Sequence, residues 1–125
     1  MTVPHIPQIR LYQNWLRQHR GLTFETYDAL WHWSITDLDA FWQSVWDYFD
    51  FKSPTPHTTA LADNRMPGAR WFPGAQVNYA QQVFRHVALA HAAGVPALIS
   101  HNEKSLAQGE SAKELSWPDL RQQVA

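Results

Sequence analysis

Aromatic side chains are the feature that most constrains how this chain can fold. Its 125 residues include seven Trp, six Phe and four Tyr, while 45% of all residues are hydrophobic and 17% are charged. Each such ring buries roughly 150–250 Å², so this many rings in a short chain require either a dense core or an extensive docking surface. The composition is that of a globular chain with room for one modest domain.

Charge and residue content exclude several classes of function. The formal net charge is -1 and the basic residues are scattered, so we expect no nucleic-acid or anionic-membrane partner. The chain has no cysteine, which excludes disulfides, a thiolate nucleophile and a Cys-ligated zinc. We also expect no membrane helix and, from the leader-free start MTVPHIP, a cytoplasmic location.

Three helices are predicted in the first half of the chain. Apolar residues at helical spacing between positions 12 and 19 predict a first helix that Gly21 ends. Thr23 is the predicted cap of the second helix, and Thr36 or Asp37 that of the third. The third helix carries the widest apolar face, formed by Phe41, Trp42, Val45, Trp46 and Phe49.

The middle of the chain changes character. Pro, Gly and polar residues over 52–70 predict a long connection without periodicity, of a length that is uncommon in compact domains. Asn78 is then the predicted cap of a fourth helix, which ends near Gly94.

The carboxyl end predicts a short α/β element. A strand over 97–100 is expected to pair with a second strand at 114–115 across a polar connection, 102–113. Ser116 is the predicted cap of a last helix. A lone strand pair is marginal in water, so we expect this end to be an interrupted α/β unit whose sheet continues elsewhere.

Histidines invite a metal hypothesis that the spacing does not support. The closest pair on one predicted helix, His86 and His91, is five positions apart and does not share a helix face. Structural or solvent-exposed histidine is therefore the preferred interpretation, and no metal or catalytic residue is predicted. The seven histidines are His5, His19, His32, His57, His86, His91 and His101.

Paired carboxylates are candidates for acid–base chemistry. Asp37 with Asp39, and Asp47 with Asp50, lie on an amphipathic helix, where capping and solvated charge explain them without a pocket. The aromatic face could stack bases, but no Arg or Lys is interleaved with it. Core or docking surface is the favoured interpretation.

Three polar residues flank the aromatic segment at 71–72 and are candidates for a ligand phosphate. They are Arg65, Arg70 and Asn78. The simpler interpretation, which we favour, pairs the arginines with a carboxylate or a helix end and makes Asn78 a helix cap.

Three segments of the chain carry a family pattern: 27–34 (YDALWHWS) with Asp37 and the aromatic runs at 41–42 and 45–49, then 66–80 (MPGARWFPGAQVNYA), and 115–121 (LSWPDLR). They resemble the amino-terminal region of AMP-forming acyl-CoA synthetases of the acetoacetyl-CoA type. The pattern W-F-x-G-x-x-x-N, beginning at Trp71, is shared with acetyl- and propionyl-CoA synthetases, while its MPGAR and NYA flanks indicate the acetoacetyl branch. Ser116 and Trp117 replace the commoner Thr-Tyr of the family.

The resemblance implies a fold and a reaction for the whole enzyme. It implies a large α/β adenylate-forming domain, of which this chain supplies a mainly α-helical region, 1–95, and the start of the α/β domain, 96–125. The family joins acetoacetate to CoA through an acyl-adenylate, using ATP, Mg and CoA. Its phosphate loop, adenine-binding motifs and catalytic Lys all lie downstream, so no family catalytic residue maps onto this chain.

Two functions from different classes follow. The first is the amino-terminal part of an acetoacetate–CoA ligase, whose partner is the remainder of the synthetase chain and which has no adenylation activity alone. The second is a free-standing helical interaction module that presents Trp42, Trp46 and Phe49 to a protein partner.

Overall fold

The protein is described by a computed structural model that covers residues 7–103, 107–109 and 111–124. It divides into two compact units, Met1–Val77 and Asn78–Ala125. In its described residues the first unit contains α1 (Gln8–Arg20), α2 (Tyr27–Thr36), α3 (Leu38–Tyr48), β1 (Leu61–Asp63) and β2 (Arg70–Trp71). The second contains α4 (Tyr79–Phe84), α5 (Val87–Ala92), β3 (Leu98–Ser100), β4 (Lys113–Leu115) and α6 (Trp117–Val124).

The first and third helices end and begin where the sequence predicts. α1 is followed by Gly21, whose φ of 66° lies in the left-handed region, which glycine adopts without a steric penalty from Cβ. α3 is capped by Asp37, whose Oδ1 accepts a hydrogen bond from the Ala40 amide at 3.2 Å. Both predictions are confirmed.

The predicted cap of α2 at Thr23 is wrong by three residues. Thr26 is the cap, and its Oγ1 accepts a hydrogen bond from the Ala29 amide at 3.1 Å. The segment before it is not helical, and Leu22 and Phe24 pack from it against the core. Tertiary packing of these two side chains therefore decides where the helix begins.

The core of the first unit is small and aromatic. Leu16 and Leu30 are 0% and 3% exposed, and Tyr12 lies beside them on α1. The Tyr12 and Tyr48 rings meet edge to face with centroids 5.0 Å apart, which joins α1 to α3. The partly buried side chains packed against this core are Trp15, Leu22, Phe24, Trp33, Phe41, Val45 and Tyr48.

The connection predicted over 52–70 contains a strand that the sequence did not reveal. β1 pairs antiparallel with β2, with Leu61 opposite Trp71 and Asp63 opposite Arg70, and the register shifts between the two pairs. Strands of three and two residues are too short to show an alternating pattern. Contacts to residues that are far away in the sequence hold this segment in place.

The second unit begins at the predicted cap but breaks its first helix. Asn78 Oδ1 accepts a hydrogen bond from the Gln81 amide at 3.0 Å. The single helix predicted to run to Gly94 is wrong, because His86, at φ -100° and ψ 1°, takes a turn-like conformation and α5 starts after it. No Gly or Pro within the two helices announces this break.

The predicted strand pair of the second unit is confirmed. β3 and β4 pair antiparallel with Leu98 opposite Leu115. Ser116 then caps α6 as predicted, since its Oγ accepts from the Asp119 amide at 3.3 Å and donates to the Asp119 carboxylate at 2.6 Å.

The described residues are mainly helical, as predicted, and contain two strand pairs where one was expected. Part of the connection predicted over 102–113, namely residues 104–106 and 110, lies outside the described residues. The domain boundary placed between residues 95 and 96 stays a prediction.

Candidate functional site

An apolar groove with a volume of about 470 Å³ runs between the three helices of the first unit. Its α2 and α3 residues recur at helical spacing, so each helix presents one face to it. No lining side chain among the described residues is charged. The groove is lined by Gln8, Ile9, Tyr12, Tyr27, Leu30, Trp31, Ser34, Phe41, Val45, Tyr48 and Phe49.

Large aromatic side chains of the groove face solvent. Tyr27 is 66% exposed and Trp31 51% exposed, although the removal of such surface from water stabilises a protein by about 25 cal/mol per Å². Contiguous exposed apolar surface of this kind marks an interaction site. The groove is therefore a candidate docking surface, and no His, Asp, Glu, Lys or Arg is among its described lining residues.

The other face of α3 is covered by the chain itself. Trp46 lies 4.7 Å, between ring centroids, from both His57 and Phe72, and Trp42 lies 5.7 Å from Trp71. The segment after α3 thus folds back and packs its aromatic pair on the two tryptophans. Two of the three residues that were predicted to face a protein partner, Trp42 and Trp46, therefore contact this chain's own side chains, while Phe49 is 52% exposed.

A close backbone approach fixes the turn after that aromatic pair. Gly74 has a φ of 95°, and a Cβ at this position would stand 2.8 Å from the Pro56 carbonyl oxygen. The Thr55 hydroxyl donates to the Gly74 carbonyl at 2.5 Å, and the Gln76 amide donates to Ser53 Oγ at 2.9 Å. Two stretches of the connection are thereby tied side by side.

His57 belongs to a structural hydrogen-bond chain. Gln43 donates through Nε2 to Asp47 Oδ1 at 3.1 Å, so its Oε1 is the atom that faces His57 Nε2, at 2.7 Å. An amide oxygen only accepts, so His57 carries a proton on Nε2. Asp47 also pairs with Arg20 of α1. These contacts therefore connect α1, α3 and the segment that carries His57.

The remaining histidines do not assemble a metal site in the part of the chain that the structure describes. No three His, Asp or Glu side chains converge there. His19 Nδ1 lies 3.1 Å from the Trp15 carbonyl oxygen, and His86 Nε2 accepts from Arg85 Nε at 2.9 Å. His5 lies outside the described residues.

The acidic candidates have structural partners. Asp37 caps α3, and Asp50 pairs with Lys52 at 2.5 Å. Asp39 does more than charge a helix end, because it ties β1 to α3. The sequence contains no signal for this contact, since its partners lie about twenty positions along the chain.

The contact of Asp39 is made through one oxygen. Its Oδ1 accepts from the Thr59 hydroxyl at 2.5 Å and from the Leu61 amide at 2.8 Å. The Thr59 hydroxyl first, and then the Leu61 amide, hold the pKa of Asp39 below its ordinary value, because both donors favour the charged carboxylate.

None of the three phosphate candidates lines the apolar groove of the first unit or is among the residues that line a polar cavity of the second. Arg65 makes a forked ion pair with Asp63, with its Nη2 2.6 Å from Oδ2. This guanidinium, with a smaller contribution from Arg70, lowers the pKa of Asp63. Asn78 caps α4. The carboxylate and capping interpretation accounts for Arg65 and Asn78.

The second unit has a polar cavity of about 330 Å³. It is lined in part by His91, Glu114, Ser116 and Asp119. Ser116 and Asp119 bond to each other as a helix cap, so the hydroxyl is not paired with a histidine as a nucleophile needs.

No helix within the described ranges is long and apolar enough to cross a membrane.

One known protein family matches a range of this chain that includes α2 and α3 of the first unit. Residues 27–83 match the family described as the acetyl-coenzyme A synthetase N-terminus. The match includes every groove-lining residue of α2 and α3, and it includes the aromatic segment with Gly74.

Individual relatives extend the similarity to nearly the whole chain. The chain is 29% identical to an acetoacetyl-coenzyme A synthetase of Rhizobium meliloti over 90% of its own length. It is also 29% identical to a malonamoyl-CoA synthetase of Penicillium aethiopicum over 98% of its length. It spans 16% and 17%, respectively, of those two proteins.

A solved structure is also similar to this chain. The acetoacetyl-CoA synthetase from Streptomyces lividans is 38% identical and superimposes on 94% of this chain with a TM-score of 0.71. The matched part is 17% of that enzyme. The resemblance predicted from the sequence is confirmed.

Proposed function

We propose, because this chain is related to the amino-terminal region of acetoacetyl-CoA synthetases, that it forms the corresponding region of an AMP-forming acyl-CoA ligase. The observation that carries the proposal is the match to the Streptomyces lividans enzyme, which extends over 94% of this chain at 38% identity. The similarity is therefore to 17% of a much larger protein.

The role proposed for this region is structural. Arg65, Asp39 and Asp47 each bind another residue of the first unit, and Ser116 caps a helix of the second. These contacts leave the groove between α1, α2 and α3 as the surface suited to a partner. The adenylation chemistry is assigned to the rest of the ligase.

The reaction proposed for the whole enzyme has two steps. A carboxylate attacks ATP to give an acyl-adenylate and diphosphate, and the CoA thiol then displaces AMP. ATP, Mg and CoA are assigned to a large α/β domain, as the resemblance to acyl-CoA synthetases implies. A cytoplasmic location belongs to the same proposal.

The proposed acyl group is a short acid with a carbonyl at its third carbon, such as acetoacetate. Acetoacetyl and malonamoyl groups share that carbonyl, and the chain is equally identical, at 29%, to a synthetase of each. The equal identities support a substrate choice that is made outside this region.

A free-standing interaction module is the second candidate, favoured by the exposure of Tyr27 and Trp31. It predicts a monodisperse chain that unfolds cooperatively by itself. Exposed apolar surface that binds a hydrophobic dye and causes aggregation favours the region of a larger ligase instead.

Acetoacetate-dependent exchange between diphosphate and ATP tests the assignment of chemistry. The purified chain is expected to show none, while the Streptomyces lividans enzyme serves as the positive control. Exchange that rises with the concentration of this chain would place the adenylation site within it and overturn the proposal.

A further inference from the structure

We propose that the groove between α1, α2 and α3 receives an uncharged, apolar segment from the remainder of the ligase chain. This inference rests on the proposed function and names the surface through which the region is held. Its volume is about 470 Å³, and none of its described lining side chains is charged.

Two of the hydroxyl groups that line the groove are already bonded within the chain. The Ser34 hydroxyl donates to the Trp31 carbonyl at 2.7 Å, and the Tyr12 hydroxyl is bonded to Ser44 at 2.5 Å. A charged group placed here would lose its hydration and find no ionic partner, which is costly. The surface therefore selects aliphatic or aromatic side chains.

The remainder of the ligase is the occupant that the comparisons favour. This chain matches 17% of the Streptomyces lividans enzyme, so most of that enzyme lies outside the match and is covalently attached to it. Attachment gives a docking segment a high effective concentration, so a shallow apolar groove is sufficient to hold it. All groove residues of α2 and α3 fall within the matched range 27–83.

Two substitutions probe the groove while leaving the core intact. Tyr27 and Trp31 are 66% and 51% exposed, so Tyr27→Gln with Trp31→Gln removes docking surface and little buried packing. Tyr79→Gln is the matched control, since Tyr79 is 82% exposed. Tyr79 directly follows the cap Asn78, as Tyr27 follows the cap Thr26.

The experiment compares the 125-residue chain with a hybrid enzyme. In the hybrid, this chain replaces the matching region of the Streptomyces lividans synthetase. The groove double variant is expected to lower the thermal midpoint of the hybrid by about 2–4 °C or more and to shift that of the isolated chain less. Tyr79→Gln is expected to leave both midpoints nearly unchanged.

The other outcomes would overturn either the inference about the groove or the proposed function. Equal shifts in hybrid and isolated chain, or an equal effect of Tyr79→Gln, would show that the groove is not the docking surface, while the proposed function stands. An unmodified hybrid that is folded but inactive would count against the proposed function itself. An isolated chain that dimerises, and becomes monomeric in the groove variant, would assign the groove to a second copy.

Discussion

Tyr12 on α1 and Ser44 on α3 are joined by a hydrogen bond of 2.5 Å across the helix interface. The single hydroxyl proton of Ser44 is donated to the Phe41 carbonyl at 2.6 Å, so Tyr12 is the donor and Ser44 the acceptor. Ser44 is 2% exposed, and burial raises the pKa of the Tyr12 hydroxyl above its ordinary value. The bond therefore persists across the neutral pH range.

Tyr12→Phe removes this donor and leaves the buried Ser44 oxygen without it. We expect the free energy of unfolding to fall by about 0.5–1.5 kcal/mol, measured by urea denaturation of the full chain. Tyr79→Phe, at a side chain that is 82% exposed, is the control and should have no effect. Equal stabilities of the two variants would show that the Tyr12–Ser44 bond contributes nothing.

Leu16→Ala opens a cavity in the core, because Leu16 is fully buried. The expected loss is about 2–5 kcal/mol, read from the midpoint of chemical unfolding. Leu11→Ala, on the same helix but at a position that is 37% exposed, should cost clearly less. A ranking of the two variants in the reverse order would contradict the described core.

Gly74→Ala tests the backbone approach between Gly74 and Pro56. Gly68 and Gly74 have φ values of 107° and 95°, but a Cβ at Gly68 meets nothing within 4 Å, whereas one at Gly74 meets the Pro56 oxygen at 2.8 Å. Both alanine variants carry backbone strain of about 1–3 kcal/mol, and Gly74→Ala should be the less stable. Thermal unfolding of the pair measures the contribution of the close approach alone.

Acid should weaken the tie between α3 and β1. The pKa of Asp39 is lowered in the folded state, so its contribution is complete above the unfolded value of about 3.9 and is lost as pH falls through the folded pKa. Asp39→Asn keeps an acceptor oxygen and should flatten this part of the stability profile.

The same acid profile has a second test in Thr59. Thr59→Val removes the donor that lowers the Asp39 pKa most while leaving the carboxylate in place. We expect a smaller loss of stability below pH 4 than in the unchanged chain, measured by urea midpoints at several pH values. An unaltered dependence of stability on pH in both variants would show that Asp39 does not contribute to the loss of stability in acid.

Local signals predicted the parts of the fold that depend on a few adjacent residues. The caps at Asp37 and Asn78 and the glycine stop at Gly21 follow from side-chain and backbone chemistry within one helical turn. The cap at Thr26 was missed, because packing of Leu22 against the core competes with the local preference of Thr23.

Contacts between residues that are far apart in the sequence could not be predicted from it. The hydrogen bond between Asp39 and Leu61 and the packing of Phe72 on Trp46 join positions that no sequence periodicity connects. The groove was not predictable either, because its apolar stripes on α2 and α3 are typical of any amphipathic helix. Only their assembly with α1 shows that part of the stripe faces solvent.

The hybrid enzyme provides the sharpest test of the proposed function. With this chain in place of the matching 17% of the Streptomyces lividans acetoacetyl-CoA synthetase, acetoacetate-dependent AMP formation is measured and compared with that of the parent. We predict activity within about tenfold of the parent, equivalent to about 1.4 kcal/mol in the barrier. A soluble, folded hybrid that forms no AMP would contradict the claim that this chain is the amino-terminal region of such a ligase.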